Sequence, residues 1–180
     1  MLTINVDNKI ILRSYIESDA VSLFEKVNNS RQHLSPWLSW VNGTTKLEHS
    51  AMFIQESIQK QEAQEALSMG IFYDNDLIGG IGMHLWEQDL KKAQIGYWLV
   101  KNFEGQGIIN KCLQLFIGFL FEKLKLNKLE IRYIPSNKRS AKVAQRLGFI
   151  IEGILRQSHL NNGLIDDLVI TGLLVGEWKK

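Results

Sequence analysis

Several features that restrict where a protein resides are scarce or absent in these 180 residues. There is one cysteine, Cys112, so no disulfide can form within the chain, and this is typical of a reducing compartment. No uncharged apolar run reaches the roughly 18 residues that a membrane-spanning helix needs. The first residues lack the basic segment and long apolar block of a signal peptide. We therefore expect a soluble, cytoplasmic protein.

Positive and negative side chains are nearly balanced. Lys and Arg total 21 and Asp and Glu total 19, which gives a net charge of +2. Basic residues are not interleaved with aromatic ones, so the sequence does not favour binding to nucleic acid. Proline occurs only at Pro36 and Pro135, and no linker, repeat or low-complexity segment divides the chain. We expect one domain over residues 1–180, because this length suits a single large core.

What the sequence does contain is a regular series of strand and helix patterns. Strands are expected at residues 2–6, 9–16, 67–73, 77–86, 92–100, 128–134, 149–160 and 164–175. Helices are expected from Ser18 or Asp19 to about Val27, from Thr45 to about Ala66, from after Gly107 to about Leu124, and from Ser136 or Asn137 to Leu147. Turn residues at 74–76 and 161–163 predict hairpins. The predicted fold is a mixed sheet covered by helices, in the α/β or α+β class.

The segment "NFEGQGIINK" places two glycines, Gly105 and Gly107, at the entrance of a predicted helix. The first N–H groups of a helix lack partners and carry partial positive charge, and glycine lets a ligand approach the backbone. Strand, Gly-x-Gly and helix together indicate a phosphate site. A plain loop remains the alternative, because glycine is common before helices. The segment is neither a dinucleotide fingerprint, since position 110 is Asn, nor a P-loop.

With its surroundings, this segment resembles the acyl-coenzyme A site of the GNAT superfamily of N-acetyltransferases. The family motif is Gln/Arg-x-x-Gly-x-Gly/Ala, and residues 102–107 follow it except that Asn102 replaces Gln or Arg. The order of elements also matches along nearly the whole chain. "AQIGYWL…GQGI" and "SNKRSAKVAQRLGFIIEGILR" resemble the branch that acetylates the N-terminal α-amino groups of ribosomal proteins. The resemblance implies a mostly antiparallel sheet that splays between the family's fourth and fifth strands, here "GYWLV" and "KLEIRYI".

The resemblance further implies acetyl-CoA as co-substrate and no metal. Backbone amides of the glycine segment would hold the pyrophosphate, and the preceding strand would pair with the pantetheine arm as with an added strand. The amide of Leu99 or its neighbour could polarise the thioester carbonyl. The expected cofactor-binding residues are Trp98, Leu99, Val100, Gly105, Gln106, Gly107, Ile108, Ile109, Asn110, Asn137 and Ser140.

Two catalytic residues are implied by the same resemblance, Ser140 and His159. Asn137 and Ser140 match the branch's Asn-x-x-Ser, in which the serine faces the thioester sulfur and assists the leaving thiolate. Asn137 alternatively only caps its helix. His159 stands where the branch carries a candidate base, and histidine ordinarily changes charge near neutral pH. The alternative for His159 is a half-exposed strand residue before a turn.

The acceptor groove is implied at the aromatic segment "RQHLSPWLSW". His33, Trp37 and Trp40 are the expected substrate residues, although the tryptophans could instead belong to the core or to a subunit contact in a homodimer. The expected acceptor is the N-terminal α-amine of a ribosomal or other protein. Such an amine has a pKa of about 7.7–8.0, so a useful fraction is neutral near pH 7. A small amine, such as a polyamine or an antibiotic, is the alternative acceptor.

Overall fold

The computed structural model of the protein describes residues 1–179. The strands are β1 (Thr3–Asn5), β2 (Ile10–Ser14), β3 (Leu67–Tyr73), β4 (Asp76–Glu87), β5 (Lys92–Leu99), β6 (Lys128–Tyr133), β7 (Ile150–Asn161) and β8 (Leu164–Leu174). The helices are α1 (Ala20–Asn29), α2 (Arg31–Leu34), α3 (Trp40–Gly43), α4 (Leu47–Glu62), α5 (Ile108–Glu122) and α6 (Lys138–Arg146). One sheet holds all these strands in the order β1-β2-β3-β4-β5-β6-β8-β7. Neighbouring strands are antiparallel except β5 and β6, which confirms the predicted mixed sheet.

The predicted elements are present, with differences at their ends. Helix α4 is shorter than the prediction of Thr45 to Ala66, and the chain leaves it near Gln64, whose φ is +57°. The short helices α2 and α3 lie in the aromatic segment, where no regular element was expected. No helix of the described residues is long and apolar enough to cross a membrane.

The start of α1 also differs from the expected cap. Asp19 precedes the helix, but its carboxylate does not cap it. Instead it accepts hydrogen bonds from both terminal nitrogens of Arg13, at 2.6 and 2.7 Å, and from the Ile16 amide at 2.9 Å. The carboxylate therefore ties β2 to the turn before α1.

Hydrophobic residues form two clusters with the sheet. One cluster contains α5, whose apolar stripe includes the fully buried Leu113 and Phe116. The other contains α1 and α4, through residues such as Leu23 and Ile54. The helices therefore pack on the sheet in two separate hydrophobic clusters.

The opening lies where β5 and β6 separate. Their parallel pairing covers only Lys92 with Lys128, Ala93 with Leu129, and Gln94 with Glu130. Beyond Gln94, β5 continues to Leu99 while still paired with β4. The implied splay is therefore present. Because the N-terminal hairpin adds one strand to the family's numbering, the splay falls between the fifth and sixth strands of this chain.

Candidate active site

The splay opens into a cleft of about 580 Å³. Most of the residues predicted from the sequence line it, although they come from five different elements and their connecting loops. Those lining residues are His33, Trp37, Trp98, Leu99, Gly105, Gly107, Ile108, Ile109, Asn110, Asn137, Ser140 and His159. Val100, Gln106 and Trp40 are outside the lining. The Gln106 side chain instead donates to the Asn102 carbonyl at 3.1 Å.

The glycine segment brings the N-terminus of α5 to the cleft. Gly105 and Gly107 both have φ of +76°, a left-handed conformation that favours glycine, and Gly107 is the residue immediately before α5. Lys111 makes the first backbone bond of the helix, to the Gly107 carbonyl at 3.1 Å. The amides of residues 107–110 therefore precede the helical ladder and are available to a ligand. Nearby, the buried side-chain oxygen of Asn110 has no hydrogen-bond partner among residues 1–179.

Positive side chains of α6 line the cleft beside these amides. They are Arg139, Lys142 and Arg146. Such charges and unpaired helix amides are the groups that bind phosphates in proteins. The structure thus fits the phosphate hypothesis for Gly-x-Gly better than the plain-loop alternative.

Glu104, which precedes Gly105, links two sides of the cleft. One carboxylate oxygen lies 3.0 Å from Nε2 of His33 in α2, and the other accepts from Arg139 in α6 at 2.6 Å. The glycine segment is thereby connected both to the expected acceptor groove and to the basic helix.

The backbone of β5 offers fewer free groups than expected. The Val100 amide donates to the Ile78 carbonyl at 2.9 Å, and its carbonyl accepts from the Phe103 amide at 3.1 Å. Because backbone groups alternate between the two sides of a strand, Trp98 also directs its groups toward β4, whereas Leu99 directs them toward the cleft. Of Trp98, Leu99 and Val100, only Leu99 is placed to pair with a ligand as an added strand would.

Ser140 has a partner that the sequence analysis missed. Its hydroxyl lies 2.8 Å from the hydroxyl of Tyr97 on β5. Burial raises the pKa of Tyr97 to about 12, although the bond to Ser140 opposes this change, so Tyr97 keeps its proton at neutral pH. The Asn137 side chain caps α6 by accepting from the Ser140 amide at 3.0 Å, and this bond fixes Ser140 in the first turn of the helix.

His159 reaches the cleft from β7, opposite Asp166 of β8. Its Nε2 is buried and has no hydrogen-bond partner within the described chain. An unpaired ring nitrogen, on a residue that lines the cleft, is a candidate to accept a proton from a ligand. This placement favours the base hypothesis over a merely structural strand position.

The β7–β8 hairpin closes over the aromatic segment. Asn161 donates to the carbonyls of Ser35 and Pro36, both at 2.9 Å. Trp37 lines the cleft beneath this closure. Trp40 does not. Its ring packs edge-on against Trp98, with centroids 6.3 Å apart, in a separate cavity.

Comparisons with family models and with known proteins agree on one family. The acetyltransferase (GNAT) domain family matches residues 9–150. The YdaF protein of Bacillus subtilis (strain 168) is 34% identical over 99% of this chain and 98% of its own length. The ribosomal-protein-serine acetyltransferase of Escherichia coli (strain K12) is 31% identical over 92% of this chain and 93% of its own.

A solved structure extends the agreement to the backbone. RimL, a ribosomal L7/L12 alpha-N-protein acetyltransferase in complex with coenzyme A, has a TM-score of 0.94 at 28% identity and covers 97% of this chain and 98% of that one. The matching family, the relatives and the splayed cleft lead to one conclusion. The chain belongs to the acetyltransferase (GNAT) family and is an N-acetyltransferase.

Proposed function

We propose that this enzyme transfers the acetyl group of acetyl-CoA directly to the N-terminal α-amine of a protein, with a ribosomal protein as the acceptor. The observation that carries the proposal is the convergence, in one cleft, of the Leu99 backbone, the amides at residues 107–110, and the side chains of Ser140 and His159. The activities for which RimL and the Escherichia coli relative are named support the choice of acceptor.

The cleft fits acetyl-CoA along its length. The α5 amides and the basic residues of α6 suit the phosphates. The free backbone edge of β5 at Leu99 suits the amides of the pantetheine arm. Acetyl-CoA supplies an activated acetyl group as a thioester, and the residues of the chain orient that group.

The reaction replaces one bond at the acetyl carbon with another. The neutral amine attacks the carbonyl carbon and forms a C–N bond, and the C–S bond breaks. The Leu99 amide could donate to the carbonyl oxygen as negative charge develops there. Ser140, bonded to Tyr97, could donate to the departing sulfur, and His159 could take the proton that the amine loses.

An N-terminal amine suits a site whose base is His159 better than a lysine side chain does. The α-amine has a pKa of about 7.7–8.0, whereas lysine has one of about 10.4. A larger fraction of an α-amine is therefore already neutral near pH 7, and less of it has to be deprotonated by the enzyme.

The test measures acceptor choice directly. The enzyme and acetyl-CoA are incubated with peptides from the N-termini of ribosomal proteins, with the same peptides carrying a blocked α-amine, and with spermidine and an aminoglycoside. Released thiol and the mass of each acceptor are followed. Turnover only with free N-termini is expected. Turnover only with the small amines would contradict the acceptor, and neither acetyl-CoA binding nor thiol release would contradict the whole proposal.

The proposal also includes a cytoplasmic homodimer. Strand β7 lies at the edge of the sheet and exposes Ile150, Ile151 and Ile154, each more than half accessible. An apolar edge strand is a surface that pairs readily with another chain. Ile154→Lys should lower the mass measured by light scattering to that of a monomer, whereas Leu90→Lys, at an exposed turn, should not. A monomeric parent protein would contradict the dimer. Free, buried Cys112 fits a reducing cytoplasm.

A further inference from the structure

A second cavity of about 510 Å³ adjoins the cleft and has no part in the reaction as described so far. It lies between the sheet and the helical segments α1, α3 and α4. Gly96, Tyr97 and Trp98 line both cavities, so the two meet at β5. The two cavities therefore share a wall at residues 96–98 of β5.

The floor of this cavity consists of glycines on two central strands. Gly80, Gly82 and Gly96 line it, and Gly82 lies opposite Gly96 in the β4–β5 register. Glycine weakens a strand, and its presence there often marks the close approach of a ligand. A methyl group at Gly80 would collide with the Trp98 ring, whereas one at Gly96 would meet only His84, at an ordinary 3.5 Å. Gly80 therefore makes room for the Trp98 ring, and Gly96 leaves its part of the floor without a side chain.

The walls of the cavity are aromatic. Tyr15 and Phe53 pack edge to face with centroids 5.8 Å apart, and Trp40 packs edge-on with Trp98. Phe53 and Trp40 remain 44% exposed, so the walls are not filled by the protein's own side chains. Rings arranged in this way offer a large apolar surface with edges and faces for a further ring.

A buried hydroxyl in the wall lacks a partner. Ser50 is 1% exposed and lines the cavity, and its oxygen makes no hydrogen bond to any residue that the structure describes. An unpaired buried hydroxyl is unfavourable unless a ligand or water satisfies it. The Ser50 hydroxyl thus offers a partner for a polar atom of an otherwise apolar ligand.

The lining of this cavity disfavours charged ligands. Asp, Glu, Lys and Arg are all missing from the lining formed by the described residues. Burial, and then the charge of Arg132, lower the pKa of His84, so this ring is neutral at pH 7. A buried ion would have no counter-charge in such a cavity, which disfavours a polyamine.

We propose that this glycine-floored cavity binds the side chain of the acceptor's first residue and that the enzyme prefers a bulky, uncharged side chain there over a small or charged one. This inference rests on the proposed function, since it places the acceptor's α-amine at the junction of the two cavities. The volume exceeds what the methyl or hydroxymethyl group of an N-terminal alanine or serine requires. The preference would therefore differ from that named for the Escherichia coli relative.

The first arm of the test compares peptides that differ only at their first residue, namely Phe, Tyr, Leu, Ser, Ala, Lys and Glu. We expect kcat/KM for the Phe peptide to exceed that for the Ser peptide by at least about tenfold, because a single additional methylene in an apolar pocket is worth roughly that factor. Equal values, or a preference for Ser or Ala, would overturn the inference.

The second arm compares Phe53→Ala with Met52→Ala. Both residues are exposed on α4, at 44% and 57%, but only Phe53 lines the cavity. Phe53→Ala should lower kcat/KM about tenfold for the Phe peptide and less than about twofold for the Ser peptide, with acetyl-CoA binding unchanged. Met52→Ala should change neither. Equal effects of the two substitutions would overturn the inference while peptide acetylation itself stands. Failure to acetylate any peptide would instead contradict the proposed function, and the inference with it.

Discussion

The hydroxyl oxygen of Tyr97 lies 2.8 Å from that of Ser140 and joins β5 to the first turn of α6 across the cleft. Both positions are fixed by other bonds, since β5 pairs with β4 and Asn137 caps α6. Because burial raises the pKa of Tyr97 to about 12, the pair retains its protons at neutral pH. In this arrangement Tyr97 can donate to Ser140 while Ser140 donates to the sulfur of the leaving thiolate.

This relationship predicts a specific kinetic pattern. Ser140→Ala should lower kcat about tenfold to a hundredfold, and Tyr97→Phe about tenfold, because each removes a donor that acts on the leaving group. The Kd for acetyl-CoA, measured by calorimetry, should stay within about threefold, since its phosphates bind elsewhere. Tyr73→Phe, outside the cleft, is the matched control. An unchanged kcat would remove Ser140 or Tyr97 from the mechanism.

A second prediction concerns His159, whose buried Nε2 is unpaired within the described residues. A base accepts a proton only when it is unprotonated, so the pH dependence of kcat/KM should contain the ionisation of that base as well as that of the acceptor amine. His159→Gln should lower kcat and leave only the ionisation of the acceptor amine at about 7.7–8.0. The measurement is the pH–rate profile of both proteins. A profile identical to that of the parent would show that His159 is not the base.

Ser158→Ala controls for the integrity of the β7–β8 hairpin. Ser158 precedes His159 and is exposed, so its hydroxyl is not part of the cleft. Its substitution should leave both the rate and the pH profile unchanged. A similar loss in both variants would indicate that the hairpin, rather than the imidazole, had been disturbed.

The parts of this site that the sequence predicts are local ones. Gly105 and Gly107 precede a helix in the sequence, and Ser140 follows Asn137 at the spacing of a cap. Each feature depends on residues a few positions apart, so the pattern alone indicates its geometry.

The remaining parts depend on contacts between distant segments. Tyr97 and Ser140 are 43 residues apart, and only the angle of the splay brings their hydroxyls together. Glu104 meets His33 on α2, and the β7–β8 hairpin is bonded to Ser35 just beyond that helix. The position of Trp40 depends on Gly80, which leaves room for the Trp98 ring against which Trp40 packs. No periodicity in one segment specifies such relationships.

A third prediction contrasts two glycines of similar surroundings. An added Cβ would meet nothing within 4 Å at Gly107 or at Gly118, but only Gly107 has a positive φ, +76°. Gly107→Ala should therefore destabilise the protein by about 1–2 kcal/mol through backbone strain. Gly118→Ala, inside α5, should stabilise it by about 0.5–1 kcal/mol. Urea unfolding measures both effects.

The same two substitutions, Gly107→Ala and Gly118→Ala, also distinguish an effect on stability from an effect on ligand binding. If the amides of residues 107–110 hold the pyrophosphate, Gly107→Ala should weaken acetyl-CoA binding about tenfold, because it redirects these donors. Gly118→Ala should leave the Kd unchanged. Equal affinity in the two variants would argue against the amide site even if their stabilities differ as expected.

The last prediction concerns Asp19, which accepts from Arg13 and from the Ile16 amide. Burial alone would raise the pKa of this carboxyl, but the bonds from Arg13 and Ile16 outweigh it and lower the pKa below its ordinary value. A lowered folded-state pKa means that ionised Asp19 stabilises the fold above its unfolded pKa of about 3.9, and that this contribution is lost as the pH falls through the folded value. Asp19→Asn should therefore lower the free energy of unfolding by about 1–3 kcal/mol at pH 7.

The difference between Asp19→Asn and the parent should shrink as the pH falls below about 4, because the carboxyl of the unfolded parent takes up a proton first and the folded carboxyl follows at its lower pKa. Urea unfolding at pH 7 and at about pH 3 gives both values. Glu17→Gln is the control, since Glu17 is exposed in the same turn and should have an effect within about 0.5 kcal/mol at either pH. A difference for Asp19→Asn that stayed constant with pH would show that the side chain acts through its shape and hydrogen bonds rather than through its charge.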